Sequence, residues 1–404
     1  MTARSRQELT TSIGPLVVDP ATLKPGNTVK VVSKGGPVTL EAWRDHAQRT
    51  PNRPKMPPRT QYDKASTAER AAFDALRLSY NRGLSDIETP QMTIAHRDMT
   101  SRADGSDGCP PTARTGLIVN GESNLGKSTI LVRWGKQFEV GLRASLGVDW
   151  DARTELGGIF VPVVYVILGR DEGPKGLCQK MLHFYGQPHA GMTVDVMTRQ
   201  LQQLAVVCGT RTVLIDQMQN LQMANKSGLQ TAMHLKELMD ILPITVFGAA
   251  VRIDETRFFS DAQIAGRFGV TEIGACTLDD QPDRRGQSGA AAFRGLLETV
   301  HAELLLFDKQ KNDMALLAPE IHRRTQGVTG DIMDLLRRGA NEAIGREERL
   351  TRSVLDRVEL SRRATAESSG ENKRTRMIGD ATAAAASKAA REAAHALRNH
   401  KEPK

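Results

Sequence analysis

The octapeptide Gly121-Glu-Ser-Asn-Leu-Gly126-Lys127-Ser128 restricts what this chain can fold into more than any other feature. A run of the form GxxxxGK[ST] works where a buried strand stops and a helix starts, because the glycines let successive backbone N–H groups close around phosphate oxygens at the positive end of the helix. Here the apolar run Leu117 to Asn120 precedes it and a helical pattern over 127–141 follows. The spacing predicts a phosphate-binding loop in which Gly121, Glu122, Ser123, Asn124, Leu125, Gly126, Lys127, Ser128 and Thr129 surround a nucleotide, Lys127 reaches its β/γ oxygens and Ser128 holds Mg²⁺. The competing reading is a glycine-rich turn with an incidental lysine.

Such a loop needs an acid for the metal, at the end of another buried strand. Val213-Leu214-Ile215-Asp216 has that form, so Asp216 is the expected second Mg²⁺ residue. A further strand, over 161–168, falls between the loop strand and this one along the chain. That favours the additional-strand ATPase layout over the GTPase-like one, and ATP with Mg²⁺ as ligand. In ATPases of that layout a catalytic Glu follows the metal acid, whereas here Gln217 follows. Glutamine cannot accept a proton, and loss of a general base costs about 10²- to 10⁴-fold in rate. Gln219 is no better as a base, and Glu237 and Asp240 fall on the next helix, so slow hydrolysis is expected.

Between 116 and 275, short β-branched runs alternate with helical ones, the pattern of a parallel sheet covered by helices. Strands are predicted over 117–120, 161–168, 212–216, 244–247 and 270–273, with helices over 127–141, 176–185, 193–208, 228–241 and 260–266. After 280 only helical patterns occur, near 288–307, 314–325, 329–344 and 351–358. Upstream, 38–49 and 66–80 read as helices, the second behind a Ser66/Glu69 capping box, and a third begins near Thr89-Pro90. The cluster Pro51, Pro54, Pro57, Pro58 reads as a linker. The expected organisation is a poorly ordered arm over 1–37 and a helical extension with a proline-rich linker over 38–112. An α/β ATP-binding domain over 113–278, an α-helical lid over 279–360 and a basic flexible tail over 361–404 complete it. Trp134, Phe138, Leu235, Leu238, Met239 and Leu242 are expected in the core.

A chain of 404 residues, 39% hydrophobic and 25% charged, has globular composition and excludes wholesale disorder. Of the net charge of +8, residues 361–404 supply +5, from ten Lys/Arg against five Asp/Glu. That tail suits a polyanion such as a phosphate backbone, or it is a solvated tail that keeps the chain soluble. Cys109, Cys178, Cys208 and Cys276 are widely spaced, and His183, His189 and His234 are scattered, so neither a disulfide framework nor a metal cluster is indicated. No apolar run reaches a membrane-spanning length and the start is polar, so a cytoplasmic location without membrane contact is expected.

Taken together, several segments resemble the TniB/TnsC-like AAA+ ATPases of transposons, especially the actinobacterial TniB-like proteins. They are GLIVNGESNLGKST, VVYVIL with the following Pro174-Lys175 loop, TVLIDQMQNL, HLKELMDILPITVFGAA, QIAGRF, HRRTQGVTGDIMDLLRRGANEAI and LTRSVLDRVEL, with Glu88-Thr89-Pro90 ahead of them. The likeness covers about residues 85–360. It implies an AAA+ fold with a five-stranded parallel sheet, and a homo-oligomer that assembles on double-stranded DNA and recruits or activates a DDE-type transposase. It places Arg267 as a finger reaching a neighbouring subunit's ATP, and Arg170 and Lys175 as candidate phosphate contacts, though a surface Arg and solvated loop charges are the competing readings. The chain departs from the pattern at Gln217 and at Phe247-Gly248-Ala249-Ala250, which lacks a polar γ-phosphate sensor. Met333 also stands where many relatives in the wider class have an Arg, with Arg337 one turn on. Two other functions fit the residues: a hydrolysis-deficient adaptor stabilised by nucleotide, and a replication-initiator or helicase-loader ATPase.

Overall fold

A computed structural model describes residues 36–50, 53–84, 87–106, 108–110, 113–170, 172–221, 226–279 and 288–368. The expected arm over 1–37 and tail over 361–404 fall almost wholly outside these residues. In chain order come α1 (Leu40–Gln48), α2 (Arg59–Lys64), α3 (Thr67–Gly83), α4 (Pro90–Ser106), β1 (Gly116–Asn120), α5 (Lys127–Leu146), β2 (Val163–Ile167), α6 (Pro174–Phe184), α7 (Val194–Val207) and β3 (Thr212–Asp216). There follow α8 (Lys226–Ile241), β4 (Thr245–Ala250), α9 (Ala262–Ala265), β5 (Phe268–Glu272), α10 (Gly289–Glu303), α11 (Asp313–Thr325), α12 (Thr329–Ala343), α13 (Arg352–Asp356) and α14 (Arg362–Ser368).

The five strands form one parallel sheet in the order β2-β3-β4-β1-β5. β1, β3 and β4 are buried along their whole length, as β-branched and apolar runs covered on both faces must be. Leu214 pairs with Tyr165 on one side and Phe247 on the other, and Ile118 lies between Gly248 and Val270. This is the α/β arrangement of a P-loop NTPase of the AAA+ type. The strand that separates the loop strand β1 from the acid strand β3 in space is β4, while β2, which separates them along the chain, lies at the edge.

Two apolar cores organise the helices. α1, α4, α5, α6, α7 and α8 contribute to the core that holds the sheet, where Trp134 meets Phe247 edge-on at 4.7 Å and stacks on the half-buried Phe138 at 4.9 Å. The second core gathers Phe293, Leu297, Ile321, Leu335, Leu336 and Val354 from α10–α13, with Leu84 and Ile87. α3, which begins at the expected capping box, packs on α12 and sends Arg77 to the buried carboxylate of Glu348 at 2.6 Å.

α2 has no counterpart in the sequence pattern, where the prolines over 51–58 mark a linker and nothing marks a helix just beyond them. Six residues carry too little periodicity to register, and Tyr62 anchors the turn from a distance, with its hydroxyl on Asp74 and its ring 4.8 Å from Phe307. Among the described residues no helix is long and apolar enough to cross a membrane.

Candidate functional site

β1 ends at Asn120, whose side chain donates to Glu272 at 2.8 Å and accepts from the Ile253 N–H at 3.0 Å. The loop then turns through left-handed backbone at Asn124 (φ 66°) and Gly126 (φ 86°) into α5, which starts at Lys127. Glycine adopts that conformation at no steric cost, so Gly126 can deliver the first N–H groups of α5 to one concavity. At Gly121 a side chain would lie 2.4 Å from the Ile273 carbonyl oxygen, so only glycine fits between the strands there.

Lys127 is nearly buried, and its ammonium donates to the Glu122 carbonyl at 2.5 Å. Burial lowers its pKa from the ordinary lysine value, opposed by the negative charges of Asp216 and Glu122. Ser128 and Thr129 are exposed on the first turn of α5, Glu122, Ser123 and Asn124 are exposed on the loop, and Leu125 is buried beneath it. The loop and the acid therefore converge at the carboxyl ends of the strands, across β4, the crevice where open α/β sheets bind ligands.

Asp216 is buried, 6% exposed, with Oδ1 accepting from the N–H of Gln217 at 2.8 Å and Oδ2 from the hydroxyl of Tyr165 at 3.0 Å. Burial and the adjacent carboxylate push the Tyr165 phenol well above its ordinary value, so it stays a proton donor. Gln217 is exposed and sits in left-handed backbone (φ 60°, ψ 40°), with its amide oxygen accepting from Asn220 at 3.3 Å. Gln219 accepts from the Val251 N–H at 3.1 Å and so ties the end of β4 to the turn after Asp216. The donor set suits Mg²⁺: a hard cation takes oxygen ligands, and a hydroxyl on α5 with one carboxylate across β4 supplies them while leaving room for phosphate and water. Among the described residues no group of three or more His, Cys, Asp or Glu forms another metal cluster.

A cavity of about 240 Å³ opens beside the loop. Ile87, Met92, Leu125, Ile130 and Met333 make its apolar walls, and Thr89, Asn124, Thr129, Thr329 and Arg337 its polar ones. Its far wall is α12, whose first turn grips the loop: Gly330 N–H donates to the Asn124 carbonyl at 2.9 Å, and the Asn124 amide donates to Asp331 at 2.8 Å. Asp331 is paired in turn with Arg363 of α14. Arg337 lines the cavity with Met333, its guanidinium held by the carbonyls of Met333 and Leu84 at 3.0 and 3.2 Å.

The remaining expected residues lie elsewhere. Arg267 precedes β5 at the opposite end of the sheet from the loop, where it is ion-paired with Asp240 and donates to the Arg114 carbonyl at 3.1 Å. Its side chain is turned inward in this chain, and reaching a neighbour's phosphates requires that pair to open. Arg170 and Lys175 are exposed on the segment from β2 into α6, at the same carboxyl end of the strands as Asp216. Several contributors are not legible as site residues in the sequence, among them Asp331, Tyr165 and Arg252. Tyr165 had only a general signal, a phenol in an otherwise apolar strand that needs a partner when buried. Arg252, which pairs with Glu122 of the loop at 2.8 Å from left-handed backbone beyond β4, had none.

Residues 112–255 match the family model described as AAA domain. Among solved structures, the chain resembles the Orc1 protein of Aeropyrum pernix in complex with DNA, with 18% identity and a TM-score of 0.50 over 70% of this chain and 68% of that one. A Walker-type ATPase of Pyrococcus abyssi (13% identity, TM-score 0.39, 70% and 73% of the two chains) and a RuvB mutant of Thermotoga maritima (11%, 0.38, 67% and 68%) also match. At these identities the likeness is one of fold. No curated protein matches the chain.

Proposed function

We propose that this chain is an ATP-dependent regulator of DNA transposition, which binds Mg²⁺-ATP at the Lys127–Asp216 crevice, assembles as a homo-oligomer on duplex DNA and recruits or activates a DDE-type transposase. The observation that carries the nucleotide part is the glycine loop itself, which faces Lys127 and the acid Asp216 in the crevice and, through Asn124, Gly126 and Thr129, also lines the adjoining cavity walled by α12. On binding, the loop amides and Lys127 take the phosphates, so the Lys127 ammonium exchanges the Glu122 carbonyl for phosphate oxygen. Ser128 and Asp216 would hold the metal, which would supply charge neutralisation to the phosphate oxygens. The apolar walls take the base, and Thr89 and Asn124 orient it.

Because α12 contacts Asn124 directly, filling the cavity favours the docked arrangement of α10–α13 over the loop, which is how nucleotide biases assembly. Gln217, the all-apolar end of β4 and Met333 leave little to stabilise a transition state, so nucleotide serves as a switch with feeble turnover. The transposition part rests on the seven sequence segments quoted above. The DNA part is in keeping with the fold shared with a DNA-complexed Orc1, with Arg170 and Lys175 as candidate phosphate contacts, and duplex binding is expected to be sequence-independent.

Gln217 favours a second reading, an adaptor in which nucleotide only stabilises the fold. Electron microscopy of the full chain with duplex DNA, with and without a non-hydrolysable ATP analogue, separates the two. Rings or filaments that appear only with nucleotide are the expected result, and assembly indifferent to nucleotide overturns the first reading.

A further inference from the structure

The carboxylate of Asp216 is aimed by a residue of the neighbouring strand. Register pairs Tyr165 with Leu214, two residues before Asp216 and therefore on the same face of the sheet, which brings the Tyr165 hydroxyl to Asp216 Oδ2 at 3.0 Å. With Oδ1 already accepting from the Gln217 N–H, one bond on each oxygen fixes the plane of the carboxylate. The Tyr165 ring is fixed in its turn. It is 3% exposed and stacks on Trp43 of α1, ring centroids 6.2 Å apart and planes 25° from parallel.

Trp43 is fully buried, and its indole N–H donates to Glu139 Oε2 at 2.7 Å. Arg143 holds the other oxygen of Glu139 from Nε and Nη2 at 2.9 and 2.7 Å, and also donates to the carbonyls of Asp149 and Phe160. A chain of directed contacts thus runs from α1 to the acid in the crevice, and nothing in the nucleotide reading uses it.

We propose that Tyr165 is a positioning residue for the Mg²⁺ that accompanies the nucleotide, orienting Asp216 through its hydroxyl, and that Trp43 holds the Tyr165 ring so that α1 sets the metal affinity of the crevice. The proposal rests on the reading of Asp216 as the magnesium acid. Two effects compete when the hydroxyl is removed. Asp216 loses a donor and becomes a slightly stronger ligand, while its carboxylate becomes free to leave the plane that the metal requires. The second dominates where outer partners of metal ligands have been removed, with losses of about 10- to 100-fold in metal affinity.

The test uses the full chain and a fluorescent ATP analogue, titrated with free Mg²⁺ and, separately, in excess chelator. Tyr165→Phe keeps the ring and its stack on Trp43. Its Mg²⁺ midpoint is expected to rise about 10-fold or more, with nucleotide affinity in chelator within about twofold of the wild type. An unchanged midpoint overturns the proposal, and so does an equal loss of affinity with and without Mg²⁺, the signature of a merely structural residue. Should Tyr165→Phe not fold, as judged by its circular-dichroism melt, Trp43→Leu carries the same test: it removes the facing ring and is expected to shift the Mg²⁺ midpoint in the same direction, and no shift overturns the proposal. Failure of the underlying reading is seen beforehand, in the wild type alone, as nucleotide binding that ignores Mg²⁺, and it takes the proposal with it.

Discussion

Substituting Gly330 with alanine should weaken nucleotide binding without unfolding the protein. A methyl group built at Gly330 would lie 2.2 Å from Oδ1 and 2.5 Å from Cγ of Asn124, so the Asn124 side chain must swing away and give up its 2.8 Å bond to Asp331. A hydrogen bond to a charged group is worth about 1.5–3 kcal/mol net. Asn124 is exposed and water replaces part of that, so the low end applies and the equilibrium constant for docking the helical bundle on the loop falls about tenfold. Since Asn124 and α12 both wall the 240 Å³ cavity, apparent nucleotide affinity falls by up to the same factor, reaching it where the released bundle prevails without nucleotide.

Alanine in place of glycine inside a helix gains up to about 1 kcal/mol, so the melting temperature should hardly move. Calorimetric titration with a non-hydrolysable ATP analogue reads the affinity, and a double-mutant cycle assigns it. Asn124→Gly removes the clashing side chain and tolerates the left-handed backbone, and on that background Gly330→Ala should cost less than about twofold. Unchanged affinity in Gly330→Ala, or the same loss on both backgrounds, would refute the coupling.

Gln217→Glu restores an acceptor after Asp216 and is expected to raise ATP turnover by about 10²-fold, the low end for a general base because the end of β4 stays apolar, with nucleotide affinity unchanged; a steady-state phosphate-release assay showing no increase would mean that Gln217 does not limit the rate. Glu348→Ala strands the fully buried Arg77 with Asp74 as its remaining carboxylate, and should cost about 3 kcal/mol in urea unfolding, the low end for a broken buried pair. Burial pushes the Cys178 thiol up to about 11 and also raises Cys208 and Cys276. With the shift upward, roughly one Cys178 in a thousand is thiolate at pH 8. Iodoacetamide at that pH should therefore label half-exposed Cys109 first, Cys276 more slowly because its thiol is pushed up, and buried Cys178 and Cys208 only in denaturant, as read by mass spectrometry.

The sequence by itself determined whatever local rules govern. The alternation of β-branched runs with helical patterns placed all five strands, and the Ser66/Glu69 box marked the start of α3 to the residue. Gly121 and Gly126 around an apolar strand end announced the phosphate loop, since close approach and left-handed backbone are demands that only a few residue types meet. Even there, local patterning could not tell which strand would lie between β1 and β3, because strand order depends on how helices cross the sheet and not on any one strand's composition.

Tertiary structure alone decided the contacts that shape the site. Tyr165 meets Asp216 across 51 residues, Arg252 meets Glu122 across 130, and Asn124 meets Asp331 across 207. Arg267 pairs with Asp240 inside its own chain, where a role beyond it was expected. Each joins side chains whose identity is ordinary in its own segment, and the bond exists only because a sheet register or a helix packed in a second core brings the two together. Hydrogen bonds and ion pairs act over a few ångströms, so a one-dimensional pattern carries the capacity for them without the partner.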